Sequence, residues 1–187
     1  MRKGFLAISV VLAAVLVAAC STLGAVGALL GNSVSFTAPQ LQGYLDRRFP
    51  RDYDQLGGLV QLSVLNPRLS IPQGSSRLRL DFDVGYGALG RDSRNPAGHF
   101  AVASGLRWDP QTRGLHLDAP TLESVDVPQL GGAMNASGRD LINRWLSDYA
   151  RDEPVYEFEP GLWQQIASRR INTTTIENGQ VVVHLGQ

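Results

Sequence analysis

The clearest pattern in the chain is a two-residue alternation between positions 77 and 86. Leu78, Leu80, Phe82, Val84 and Tyr86 face one way, and Arg77, Arg79, Asp81 and Asp83 face the other. Successive side chains of a strand point to opposite faces, so the segment predicts a strand with one buried and one solvated side, as in an antiparallel sheet. After a loop at 90–98, Phe100, Val102, Leu106 and Trp108 continue the theme. Past the turn from Asp109-Pro110 to Gly114 come Leu115, Leu117, Leu122, Val125 and Val127. These segments predict three long strands in a meander. Residues 59–65, resumed at Leu69 and Ile71, predict a further strand, and Pro67 and Pro72 place it at a sheet edge because proline cannot donate to the ladder.

Elsewhere the period changes. Val34 and Phe36 alternate with serines, and Thr37-Ala38-Pro39-Gln40 then reads as a capping box opening a helix with Leu41, Tyr44, Leu45 and Phe49 on its apolar stripe, stopped by Pro50. Over 133–151, Met134, Gly138, Leu141, Ile142, Trp145, Leu146 and Tyr149 fall on one helical stripe opposite Arg139, Asp140, Asn143, Arg144, Asp148 and Arg151. Residues 155–158 predict a short strand and 160–170 a short helix. Thr173–Ile176 and Val181–Leu185 flank Asn178-Gly179, the strongest short hairpin signal in the chain. Helix, strands, helices, hairpin is not the alternation of a parallel α/β fold. The expected class is α+β: a long curved antiparallel sheet wrapped around the long amphipathic helix of the C-terminal half, with an additional N-terminal helix and a C-terminal hairpin.

The first residues read as a processing signal. Arg2 and Lys3 precede an apolar run from Gly4 to Ala19, shorter than the roughly 20 residues a membrane-spanning helix needs. Val17-Ala18-Ala19-Cys20 resembles a bacterial lipobox, in which the cysteine is acylated and begins the mature protein. Cys20 is the single cysteine of the chain and stands where that motif requires one. The expected organisation is a cleaved signal peptide at 1–19, a lipidated Cys20 with an apolar, Gly-rich segment at 20–32, and one domain at 33–187. That segment reads equally as a tether or as chain packed back on the domain. Ser21 rather than Asp after the cysteine implies, by the lipoprotein sorting pattern, the periplasmic face of the outer membrane.

Composition narrows the rest. The 187 residues are 43% hydrophobic and 18% charged, ordinary for a folded chain. The 17 basic residues balance 17 acidic ones with no dense basic block, which argues against nucleic acid as a partner. Loss of Arg2 and Lys3 with the signal leaves no basic patch for anionic lipid, so membrane attachment falls to acyl chains on Cys20.

The lipobox, the Phe36-Thr37 segment followed by Leu41 and Leu45, the Trp108 to Leu117 turn with Asp109 and Gly114, the long helix ending before Pro154-Val155-Tyr156, and the terminal Val181–Leu185 strand together resemble the YceB-like family of bacterial lipoproteins, a group of unknown function. The apolar segment after Cys20 and the Gly-rich 85–90 stretch are departures from it. The resemblance implies a fold similar to the tubular lipid-binding superfamily, in which a curved sheet wraps a long helix and the seam between them can hold an acyl chain.

No catalytic constellation is legible. His99, His116 and His184 fall on separate predicted strands without acidic or Cys partners at ligand spacing and read as surface or strand-end residues, so no metal or cofactor is expected. Asp81 and Asp83 share the wet face with Arg77 and Arg79 and read as solvated rather than as an acid/base pair. The chain is therefore expected not to be an enzyme. What remains is apolar surface: Phe82, Tyr86, Phe100, Val102, Leu141, Ile142, Trp145 and Tyr149 are candidates to line a groove for a lipid or other hydrophobic ligand, or else form a plain core. The second reading gives a structural or interaction lipoprotein with an envelope protein as partner. On either, Cys20→Ser should abolish acyl labelling and membrane fractionation; a variant that still incorporates palmitate would place the lipid elsewhere.

Overall fold

The computed structural model describes residues 28–55, 60–88, 94–128 and 136–186. The signal peptide, Cys20 and most of the segment after it lie outside the described residues. The described chain is α+β, with ten strands in two antiparallel sheets and three helices. β1 (Ala28–Leu30), β2 (Ser33–Thr37), β10 (Gln180–Leu185) and β9 (Ile171–Glu177) lie in that order in the smaller sheet. The larger sheet is a meander of β3 (Arg51–Gln55), β4 (Val60–Ser70), β5 (Leu78–Ala88), β6 (Gly98–Asp109), β7 (Gly114–Asp126) and β8 (Tyr156–Glu157). The helices are α1 (Ala38–Arg48), α2 (Ala136–Asp152) and α3 (Pro160–Ile166).

Several elements form for the local reasons the sequence suggests. Thr37 caps α1, and the Gln40 side chain returns to accept the Thr37 backbone N–H at 2.8 Å. Leu41, Tyr44 and Leu45 are the buried face of that helix. Asn178 and Gly179 both have positive φ, 52° and 73°, the backbone a two-residue type I′ turn demands between β9 and β10. On β5 the alternation holds: Leu78, Leu80, Phe82 and Val84 are buried, while Arg79 bonds Asp81 at 3.0 Å and Glu123 at 2.7 Å, and Arg68 bonds Asp83 at 2.9 Å. The two aspartates are thus spent on arginine pairs across the wet face.

Other expectations change. Within the 20–32 segment, read as a tether or as chain packed back on the domain, Ala28–Leu30 pairs with β2 as a strand of its own. β3 is a strand that the polar run Arg51-Asp52-Tyr53-Asp54-Gln55 does not announce; it exists because β4 offers it a ladder. β4 is not an edge strand, since β3 and β5 flank it. Yet the ladder with β3 ends at Val64, and Pro67 lies past that point, beside a register shift between Leu65 and Arg68. There Gln42 of α1 replaces the missing strand: its Nε2 donates to the Pro67 carbonyl at 2.7 Å and its Oε1 accepts from the Leu69 N–H at 2.6 Å. α3 stops at Ile166, short of the expected 170.

One core runs through both sheets and all three helices, from Val34 and Phe36 through Phe82 and Phe100 to Trp145, Leu162 and Val183. The last turn of α2 is fastened to the larger sheet. Arg107 on β6 donates to the Ala150 carbonyl at 3.0 Å, and His116 Nδ1 on β7 reaches the same oxygen at 3.2 Å. Helix C-terminal carbonyls lack intrahelical partners, so these two bonds satisfy a group that would otherwise be buried unpaired. Gly114 is required beside them: a Cβ there would stand 2.7 Å from Pro154 Cβ and 3.0 Å from the Tyr156 carbonyl. His116 is therefore not a surface histidine. It is 0% exposed, donating from Nδ1 to Ala150 and accepting at Nε2 from the Thr112 hydroxyl at 2.7 Å.

Burial holds the His116 imidazole below its usual range, partly offset by the Ala150 bond. The unfolded chain takes up this proton near pH 6.5, whereas the native state refuses it. The contribution is whole above that pH and is lost as pH falls from about 6.5 toward the lowered native value. The urea midpoint should drop more steeply between pH 7.5 and 5 in the wild type than in His116→Gln; parallel slopes would place the acid sensitivity in other groups.

Candidate functional site

The larger sheet and α2 meet over an aromatic seam. Phe82 and Phe100 pair in register on β5 and β6, and their rings stack with centroids 5.1 Å apart. Trp145 projects from the middle of α2 and meets both rings edge-on, at 5.7 Å and 5.5 Å. One helical turn on, Tyr149 stacks on the indole at 5.3 Å, and Phe49 closes the far side against Phe82 at 5.4 Å. Each such pair adds about 0.5–1.5 kcal/mol beyond area burial. Val102 and Ile142 are buried in the same core.

The structure thus brings together Phe82, Phe100, Val102, Ile142, Trp145 and Tyr149, the predicted lining residues whose side chains are described, and packs them against one another. Tyr86 and Leu141 lie on β5 and α2, with side chains outside the described set.

A cleft of about 270 Å³ opens beside this seam on its β3 side. Tyr53, Leu62, Trp145 and Tyr149 form its apolar wall, and Arg51, Arg144, Asp148, Asp152 and Glu153 its polar rim. Tyr53 stands edge-on to the Trp145 indole at 5.8 Å. The rim charges are largely committed: Arg51 bonds Glu153 at 2.7 Å, and Arg151 bonds Asp148 at 2.7 Å and Asp152 at 2.9 Å. The Glu153 hydrogen bond keeps Arg51 more firmly protonated than a free guanidinium. Burial pushes the Tyr149 phenol well above its usual range, so it stays neutral.

Two polar atoms of the wall have no hydrogen-bond partner: Trp145 Nε1 and Tyr53 Oη, both sealed from solvent. The Arg51 guanidinium engages Tyr53 Oη by a contact outside good hydrogen-bond geometry, in which the phenol oxygen can only accept, so its own O–H is left without an acceptor. Sequence reasoning missed Arg51, Tyr53 and Leu62 as site residues. Tyr53 is the one large apolar-bodied side chain of β3, and its alternation with Asp52 and Asp54 is too short to stand out.

The histidines do not converge. His99 is exposed, His116 is buried under the end of α2, and His184 on β10 bonds Thr175 at 2.9 Å. Among the described residues no group of three His, Cys, Asp or Glu side chains is placed to hold a metal. No protein-family model matches the chain, and no curated protein matches it.

Removing the Trp145 ring would leave Phe82, Phe100, Tyr53 and Tyr149 each without a face. Trp145→Ala should cost about 3–5 kcal/mol in urea denaturation, whereas Tyr53→Phe, which deletes an unpaired hydroxyl, should stay within about 1 kcal/mol of the wild type. A Trp145→Ala loss under about 1 kcal/mol would contradict the packed seam.

Proposed function

We propose that this chain is a lipid-anchored lipoprotein of the bacterial cell envelope, held by an acylated Cys20 at the periplasmic face of the outer membrane. Its six-stranded sheet curls around α2 and admits the apolar part of an amphiphile through the cleft beside Trp145. The observation that carries the ligand reading is the cleft itself: an opening with an aromatic and aliphatic wall and a charged rim, flanking the seam between sheet and helix. The anchor rests on the lipobox and the single cysteine. The YceB-like resemblance and its lipid-handling fold relatives point the same way.

The volume sets the scale of the ligand. About 270 Å³ lies just under the roughly 300–1,000 Å³ of a typical small-molecule site. It suits one short alkyl segment or the end of a chain rather than a whole phospholipid. Burial at about 0.8 kcal/mol per methylene gives several kcal/mol for such a segment before ordering costs.

The close packing of Phe82, Phe100, Val102 and Ile142 favours a second reading, a structural or interaction lipoprotein whose core stays closed and whose partner is another envelope protein. Fluorescence separates the two. Trp108 and Trp163 stack on each other at 5.8 Å away from the seam, so Trp108→Phe with Trp163→Phe leaves Trp145 as the sole reporter. Fatty acid should shift or quench its emission saturably, and Leu62→Phe, which narrows the cleft, should weaken that response at least tenfold. An unchanged spectrum, with cooperative unfolding and no ligand in native mass spectrometry, would leave the interaction reading in place.

A further inference from the structure

We infer that the cleft is built to receive a hydrogen-bond acceptor, the carbonyl oxygen of an acyl group, on the indole N–H of Trp145 and the hydroxyl of Tyr53. This rests on the amphiphile reading of the cleft and states which part of the amphiphile enters.

The donors are all on one side. Trp145 is 7% exposed and its Nε1 can only donate; Tyr53 Oη is the second unpartnered polar atom of the same wall. A buried donor without an acceptor carries a standing desolvation cost, and an occupant that supplies the acceptor removes it. An alkyl chain alone does not.

Charge selects less than hydrogen bonding does. Asp148 and Asp152 share Arg151, Glu153 holds Arg51, and Arg144 offsets the surplus carboxylate, so the rim as a whole is balanced. A balanced rim does not demand an anion, whereas the two unpaired groups do call for an oxygen. A free fatty acid and an acyl ester share that oxygen.

Access involves one movement. Trp145 Nε1 is sealed from solvent, and half-buried Tyr53 stands edge-on to the indole at 5.8 Å in the same wall. Tyr53 has to turn aside for an acyl oxygen to reach the indole N–H. The same turn brings the Tyr53 hydroxyl to the oxygen. Because Tyr149 backs the indole by stacking, the ring keeps its orientation while Tyr53 moves.

The test uses the full chain in detergent-free solution as the Cys20→Ser form, with octanoate, methyl octanoate and n-octane as probes. Binding is read from Trp145 emission in the Trp108→Phe, Trp163→Phe background and from the indole N–H cross-peak in ¹⁵N-resolved NMR. Octanoate and the methyl ester should bind at least tenfold more tightly than octane and should move the Trp145 indole proton downfield. Tyr53→Phe should narrow the preference for octanoate and the ester over octane, read as the ratio of their affinities. Tighter binding of the acid than of the ester would identify free fatty acid as the natural source, the reverse an ester, and either supports the inference. Equal binding of all three, or binding without movement of the indole proton, overturns it while the amphiphile reading survives. No binding of any probe overturns both.

Discussion

The insertion of Trp145 between the Phe82–Phe100 stack and Tyr149 is the contact on which the rest of the domain depends. Phe82 and Phe100 come from strands that are neighbours only because the meander pairs them in register. Trp145 comes from a helix separated from them by a connection, and it contributes the largest ring of the seam. Edge-to-face geometry lets one indole meet both rings of the phenylalanine stack at once. Wherever α2 sits along the sheet, it has to keep that geometry.

Polar fastenings then hold the helix in that place. Arg107 and His116 reach the Ala150 carbonyl from the middle of the sheet, and Arg51 reaches Glu153 from its β3 edge. These contacts grip the C-terminal end of α2 from both sides of the seam. They also explain why β3, a strand with little apolar character, is worth ordering: Tyr53 supplies an edge to Trp145 while Arg51 ties the helix end. The cleft is the space left where this short edge strand and the rim of α2 do not close completely, and its wall is aromatic because it is the flank of the seam.

Much of the fold is legible in local chemistry. The β5 alternation, the Thr37–Gln40 capping box and the Asn178-Gly179 turn each encode their conformation within a few residues, and each forms. The stripe of α2 shows which of its residues are buried. β3, by contrast, is invisible because its side chains alternate over too few positions and its stability comes from β4. His116 was misplaced for a related reason: a histidine on a strand carries no sequence mark of burial, and only the approach of Ala150 and Thr112 makes the buried position tolerable.

What the sequence by itself determined is therefore the inventory of elements and faces, together with the expectation of an anchor at Cys20, because propensity, capping, turn geometry and periodicity act over short stretches of chain. The tertiary structure decided which faces meet. Pro67 marks β4 as an edge, yet the strand is central where β3 pairs with it and an edge only beyond Val64, where Gln42 takes over. The aromatic stripe of α2 is compatible with an open groove or a closed seam, and the choice depends on ring-to-ring geometry between residues more than forty positions apart. Such contacts leave no local signature, since their free energy belongs to the pair and not to either segment.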